Sequence, residues 1–506
     1  MIDVLGHIRE KARRSPDHVA VKDTETSLTY CELVEVVGEV AAAMTSRGVA
    51  QGDRIVLLLQ NSIDYVVAAL SCLWIGAIFV PLDASDPMIR LSSLIRDCQP
   101  ALVVTNGAVD GATLGQDFPV LPFATVSQLR GEHASAVNAQ PIDERPAYMI
   151  YTSGTTGKPK GVVIGSGAFE SAVMACAGAR DLDASTRTLS VSPFHFDGSF
   201  ATLFTTLVSG GTLILRSRDS LLFARVFFNT IISESVTYTG FTPSYFRLLA
   251  SNPQFELLAR SALTVIAMGG ETLTVGDVQK VWEVAPHVRI FNGYGPTETT
   301  ITASQKELRK STFTSGAITI GRPNPHVQFY VVDAQDHLIE ENGIVGELYI
   351  GGRQVMDGYW ASQGLTDQVI RTDVVRGERL YKTGDLVFRD AEGDYVYVNR
   401  VDRVLKRSGV RISLAEISDT FCKDERVSTA TSVAFDDDGG PGVVTFVVAT
   451  PSVATDDLLQ HARERLPPSM LPDRIHIVES MPLTSSGKVD ERRLLNDAGL
   501  PRWSPT

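Results

Sequence analysis

The sequence predicts a layered α/β protein with a large N-terminal α/β domain and a small C-terminal α+β domain. Through the first 400 or so residues, short β-branched runs alternate with helical patterns, the texture of a sheet layered with helices. After residue 381 the runs become short, strand-like and closely spaced. At 506 residues the chain also exceeds the size at which a single core keeps growing, so two domains are expected.

Residues 54–59 read as a strand before the helical stretch 62–75. A helix over 88–97 precedes a strand over 101–105, and a strand over 212–216 precedes a helical stretch over 222–233. The most apolar segment, 65–81, carries Ser71, Cys72, Trp74 and Gly76; it reads as a packed helix running into a strand, too short and interrupted for a bilayer span. Further on, 394–398 reads as a strand, 399–411 is basic, and 431–435 and 443–449 flank a glycine-rich acidic turn at 436–442 as a hairpin. A helix over 458–466 and a strand over 474–478 follow, with a frayed end at 501–506. The boundary falls near Asn399, dividing the chain into 1–398 and 399–506.

A net charge of -13 argues against non-specific nucleic-acid binding, which depends on neutralising phosphates with Lys and Arg. The five cysteines, Cys31, Cys72, Cys98, Cys176 and Cys422, have no CxxC spacing and read as reduced thiols, hence a cytoplasmic location. The first residues lack a basic stretch followed by an apolar core, so no signal peptide is expected.

Three segments carry chemistry. Residues 151–161 combine three glycines with three threonines, Ser153, Lys158 and Lys160, so that backbone N–H groups, hydroxyls and charge converge on an anion. Pro159 stands where a Walker A loop needs Ser or Thr after its lysine. Residues 292–300 follow a strand-like run; Gly293 and Gly295 leave room against the backbone, Tyr294 offers a ring, and Glu298 offers a hard oxygen ligand for Mg²⁺. Residues 482–490 place Lys488 on a Gly/Ser loop, suited to reach a developing phosphate charge. Taken singly, each also has a plainer reading as a flexible turn, a Gly-Pro turn or an exposed lysine.

In this order the three segments resemble the adenylate-forming superfamily of acyl-CoA ligases, luciferases and nonribosomal peptide synthetase adenylation domains. The resemblance spans nearly the whole chain and extends to 28–30, 76–87, 346–352, 381–386 and 400–411. It implies the adenylate-forming enzyme fold with a mobile C-terminal lid hinged near Asp402. Carried over by position, Thr152, Ser153, Gly154, Thr155, Thr156, Gly157 and Lys158 would hold the β- and γ-phosphates of ATP. Gly269, Asn292, Gly293, Tyr294, Gly295 and Thr297 would surround the nucleotide, with Tyr294 on adenine and Glu298 on Mg²⁺. Asp385 would grip the ribose, joined by Tyr397 and Arg400, and Lys488 would meet the carboxylate and α-phosphate. Lys488, Glu298 and Thr152 would be the catalytic group. The implied chemistry is attack of a carboxylate on the α-phosphorus, expelling pyrophosphate.

Residues 192–199 resemble the Phe-Asp-x-Ser motif of amino-acid-activating members, in which the aspartate, here Asp197, pairs with the substrate ammonium. A helix N-cap is the simpler alternative for Asp197. By the same resemblance Asp197, Gly198, Ala201, Gly240, Ile266, Met268, Gly293, Ile301, Thr302 and Lys488 would contact the substrate. Met268 and Ile301 would narrow the mouth, favouring a small uncharged amino acid such as alanine, while Ala201, Gly240 and Gly293 would leave depth. The expected acceptor is the phosphopantetheine thiol of a separate carrier protein, since the chain ends soon after Lys488; the basic stretch 400–411 reads either as a solvated hinge or as a docking patch for an acidic carrier or CoA phosphates. Asn399, Ser408, Ser413 and the turn 240–243 depart from the family pattern and bear on the thioester stage. The rival readings are a CoA-using synthetase, a non-catalytic nucleotide sensor of the same fold, and a P-loop NTPase or kinase.

Overall fold

A computed structural model describes residues 3–106, 119–122, 145–152, 158–313, 318–400, 404–407, 410–437, 440–450, 453–482 and 489–503. The chain divides into two compact units. The larger comprises Met1–Ala84, Cys98–Ile150 and Gly161–Tyr397, and the smaller Ser85–Asp97, Tyr151–Lys160 and Val398–Thr506. The layered α/β architecture with a smaller second unit is the one the sequence predicts.

Counted over the described residues, the larger unit holds a nine-stranded sheet. Its strands Val19–Lys22, Thr212–Ile214, Arg187–Ser190, Tyr238–Phe241, Val265–Gly269 and Arg289–Tyr294 run parallel in that spatial order. Ser27–Thr29 closes one edge antiparallel, and Ser304–Leu308 with Arg322–Pro323 the other. A second sheet is built around Pro146–Thr152, Ile78–Pro81, Arg54–Leu58 and Leu102–Thr105, and a third around Val327–Val332, Gly346–Gly352 and Leu380–Arg389. In open parallel sheets ligands gather at the carboxyl ends of the strands. Gly240, Gly269, Asn292, Gly293 and Tyr294 all lie at such ends.

Local signals account for the helices that frame this edge. Ser62 accepts a hydrogen bond from the Tyr65 N–H, and Gly76, at φ 78°, stops the helix Ile63–Ile75. The strand Ile78–Pro81 follows, so 65–81 is a buried helix and strand as its composition indicates. Among the described residues no helix is long and apolar enough to cross a membrane, and all five cysteines are free.

In the smaller unit the hairpin pairs Val427–Asp437 with Gly440–Ala449, and the register runs out to Asp437 opposite Gly440. The strands therefore extend well into the 436–442 stretch that composition assigns to a turn, because backbone ladder bonds outweigh the poor strand propensity of Asp and Gly. Arg474–Ile477 adds in parallel.

Candidate active site

The nucleotide-type residues of the larger unit come together on its third sheet and on the turn after Arg289–Tyr294. The Tyr294 hydroxyl donates to Asp385 Oδ2 at 2.5 Å, with both residues buried. The Tyr294 ring packs in a core cluster with Ala303, Ile320 and Phe329. Asp385 is fixed from behind, its N–H donating to Thr383 Oγ1 at 2.9 Å. Glu298 lies in a short 3₁₀ turn, 1% exposed, and the Tyr359 hydroxyl donates to its Oε1 at 2.9 Å. Asn292 is buried and donates to the Thr319 carbonyl at 2.9 Å.

The glycines here serve packing. A Cβ on Gly295 would lie 2.7 Å from the Thr302 and Ala303 backbone, and one on Gly269 would lie 2.6 Å from the Gly293 carbonyl. Close approach of one chain segment to another thus explains them before any ligand is considered.

After Glu298 the backbone enters the left-handed region at two β-branched residues in succession, Thr300 at φ 60° and Ile301 at φ 65°. Such residues adopt it only under constraint. The constraint is Gln354, fully buried: its Nε2 donates to the carbonyls of Thr299, Thr300 and Thr302 at 3.3, 3.1 and 2.8 Å. The Thr300 hydroxyl donates back to the Gln354 carbonyl at 2.7 Å.

Asp197 faces this strained turn from the 3₁₀ turn Asp197–Ser199 that leads into the helix Phe200–Ser209. Neither turn nor helix has a side-chain cap hydrogen bond, so the N-cap alternative does not account for the carboxylate. Its Oδ2 is buried with no hydrogen-bond partner among the described residues. Burial pushes the carboxyl up to about 6, and the nearby Glu298 charge adds to the rise. The Thr297 side chain and the Ile301 and Gly198 amides act in the opposite direction. A buried carboxylate left this way calls for a cation.

The lining that the sequence assembles around the substrate is divided by the structure. Gly240 pairs with Ala267 and Gly293 with Gly269, whereas Ile266 and Met268 pair with Thr239 and Phe241. Directly paired residues share a face and neighbours alternate. Gly240 therefore faces the helix Phe200–Ser209, where its Cβ would lie 2.8 Å from Thr202 Cγ2. Ile266 and Met268 turn to the other face and pack with Leu189, Phe241 and Trp282 in a separate core cluster. Ile301 and Ala201 belong to the cluster on the helix side, so Met268 and Ile301 do not narrow one mouth. Nor do Gly240 and Gly293 leave depth. The Thr202 methyl fills the first gap, and the Thr302 methyl stands 3.1 Å from where a Gly293 Cβ would be. Gly198 is exposed, with nothing within 4 Å of where a Cβ would be.

In the smaller unit Thr152 ends the strand Pro146–Thr152, and its Oγ1 is buried with no hydrogen-bond partner among the described residues. Lys158 is exposed. The Arg400 N–H donates to Asn399 Oδ1 at 2.7 Å. In the larger unit Tyr397 packs partly buried against the core cluster that holds Tyr294. Ser153, Gly154, Thr155, Thr156, Gly157, the hinge Asp402, Ser408 and Lys488 lie outside the described residues.

Several residues of this site carry no motif signal. Gln354 and Tyr359 act through partners distant in sequence, and the Thr202 methyl occupies the space beside Gly240. Arg180, 2% exposed, donates through Nη1 to the Ala201 carbonyl at 2.7 Å and to the Tyr238 hydroxyl, a buried cation behind a pocket expected to be uncharged. A buried cation at this spot was not readable from an arginine at a helix end.

The family model for AMP-binding enzymes matches residues 8–360. The chain belongs to the AMP-binding enzyme family. A model for the AMP-binding enzyme C-terminal domain matches residues 416–488. Tyrocidine synthase 3 of Brevibacillus parabrevis is 32% identical over 498 residues, which is 97% of this chain and 8% of that protein. The chain likewise spans 14% of the length of tyrocidine synthase 2 from the same organism. The artificially fused adenylation-PCP di-domain NpsA-ThdA of Klebsiella oxytoca, a nonribosomal peptide synthetase, superposes with a TM-score of 0.82 at 23% identity, covering 94% of this chain and 93% of that one. The o-succinylbenzoate CoA synthetase of Bacillus subtilis shares the fold equally well, with a TM-score of 0.85 at 21% identity over 97% and 98% of the two chains. The chain is thus an AMP-binding enzyme that is similar to tyrocidine synthases over nearly its whole length.

Proposed function

We propose that this enzyme adenylates a small, uncharged amino acid and transfers the aminoacyl group to the phosphopantetheine thiol of a separate carrier protein. The observation that carries the reading is the Asp197 carboxylate, with one oxygen buried and without a hydrogen-bond partner among the described residues and its ionisation held back by burial. An ammonium is the substrate group that compensates it. The filled gaps behind Gly240 and Gly293 favour a short side chain. Carrier transfer is supported by the likeness to peptide synthetases and to a structure that contains a PCP domain.

The substrate carboxylate is already ionised and needs no general base. It attacks the α-phosphorus in line, the bond to pyrophosphate breaks, and an aminoacyl-adenylate forms; the carrier thiol then attacks the carbonyl and AMP leaves. Glu298 suits Mg²⁺ as a buried hard-oxygen ligand oriented by Tyr359. Among the described residues Glu298 is the carboxylate that would hold the ion. When bound it would neutralise phosphate charge. Asp385, positioned by Tyr294, Thr383 and its own strand, would take the ribose hydroxyls, with Tyr397 and Arg400 beside them. The Thr152 hydroxyl would donate to phosphate, as would the 153–158 loop, and Lys488 would offset charge at the α-phosphate.

ATP–pyrophosphate exchange tests the reading across amino acids of both chiralities and β-alanine, beside carboxylic acids lacking an amine. Exchange is expected with a small amino acid and is lost in Asp197→Ala. Stronger exchange with an amine-free acid, or thioester formation with free CoA in preference to a carrier, would sink it. Lys488→Ala is expected to lose exchange while still binding ATP.

A further inference from the structure

Tyr148 lies in the strand Pro146–Thr152 with no exposed surface. Its ring is held among Phe79, Phe169 and Phe200, with centroids 5.5, 5.2 and 5.1 Å away. Its hydroxyl is buried and has no hydrogen-bond partner among the described residues. Other buried tyrosines of the larger unit do not share that condition. Tyr30 donates to the Leu207 and Gly211 carbonyls, Tyr65 to the Phe194 carbonyl, Tyr238 to the Ala201 carbonyl, and Tyr349 to Asp336. A phenylalanine would pack into the same aromatic cage without burying an unsatisfied hydroxyl, a defect that costs about 1–3 kcal/mol. The hydroxyl therefore needs a partner that comes from elsewhere.

Its surroundings indicate which partner. Phe200, in contact with the Tyr148 ring, is three residues beyond Asp197 and continues the same turn. Asp197 Oδ2 is likewise buried without a hydrogen-bond partner among the described residues. The two groups act on each other electrostatically: the Asp197 charge adds to the burial that raises the Tyr148 hydroxyl well above its usual range. Two oxygens that each need a donor, one of them negative, are met together by a group with several N–H bonds and a positive charge, which describes a primary ammonium.

We propose that the Tyr148 hydroxyl is a second ligand of the substrate ammonium, accepting one N–H while Asp197 Oδ2 accepts another. This rests on the amino-acid reading above. Asp197 supplies the charge and Tyr148 supplies direction, and both come from rigid elements of the larger unit.

The test is Tyr148→Phe, which keeps the ring and removes the oxygen, assayed by exchange with the amino acid that gives the wild type its strongest response. The KM for that amino acid is expected to rise roughly tenfold or more, with the KM for ATP unchanged and the thermal midpoint equal to or above that of the wild type. An unchanged amino-acid KM overturns the Tyr148 assignment alone and points to a buried water at the hydroxyl. Equal damage to the ATP KM, or a loss of folding, also overturns it, since either marks a purely structural role. A wild type that responds to no amino acid, or responds better to an amine-free acid, overturns the amino-acid reading and the Tyr148 assignment together.

Discussion

The two ends of the candidate site in the larger unit are built on opposite principles. At the nucleotide end two buried carboxylates accept from tyrosines: Tyr294 donates to Asp385 Oδ2 and Tyr359 to Glu298 Oε1. At the amine end Asp197 Oδ2 and the Tyr148 hydroxyl are buried without hydrogen-bond partners among the described residues. The amine end carries an electrostatic cost that a cation or a proton relieves, and in the reading proposed above it is the end where substrate identity is decided. Between them runs the strained turn Thr300–Ile301, clamped by Gln354.

If the amine end sets identity, Asp197→Ala removes the amino-acid response by at least about a hundredfold, the scale of an uncompensated buried charge, while ATP binding persists. Exchange assays and ATP titration read the two effects separately. Glu298→Gln is expected to lower exchange on the order of a hundredfold for every substrate alike, because its role is on the nucleotide side; a substrate-dependent loss would erase the distinction between the ends. Gln354→Ala releases the clamp common to both. It should destabilise the protein by about 2 kcal/mol in denaturant unfolding and raise the KM of ATP and amino acid together. Tyr294→Phe removes one donor to Asp385 and should raise the ATP KM several-fold at about 1 kcal/mol of stability, leaving the amino-acid KM alone.

The smallest effect is a pH signature. Because the Asp197 carboxyl is raised in the folded protein to about 6, folding favours its protonated form. That contribution is fully present below the unfolded carboxylate value of about 4 and is lost as pH rises through about 6. In metal-free protein Asp197→Asn should therefore be more stable than the wild type at pH 8 by on the order of 1 kcal/mol, with the gap closing toward pH 4. Thermal melts across that range check it, and a constant gap would mean that Asp197 is not electrostatically burdened.

Much of the site was legible because it is written in contiguous residues. The segment 292–300 announces Tyr294 and Glu298 through its own composition, and 192–199 announces Asp197. The residues that complete them were not legible. Gln354 reads as an ordinary glutamine after a glycine turn, and only the fold carries its amide to three carbonyls more than fifty residues back in the chain. Tyr148 sits in an apolar run that forms a strand, but an apolar pattern carries no information about whether its hydroxyl finds a partner. The pocket lining failed at the same level. Listing Gly240, Ile266 and Met268 together ignores that a one-residue change of register sends a side chain to the opposite face of a sheet, and here Met268 pairs with Phe241 and turns away.

The sequence by itself determined the alternating α/β order, the family and the place of the charged and glycine-rich segments, because those depend on local periodicity and on short-range composition. Tertiary structure alone decided which polar groups are satisfied and which are left waiting. Hydrogen-bond partners are a property of packing: in this chain Glu298 accepts from Tyr359, Asp385 from Tyr294, and Gln354 holds the Thr299–Thr302 turn, all across long stretches of sequence, while Asp197 Oδ2 and the Tyr148 hydroxyl find no partner among the described residues.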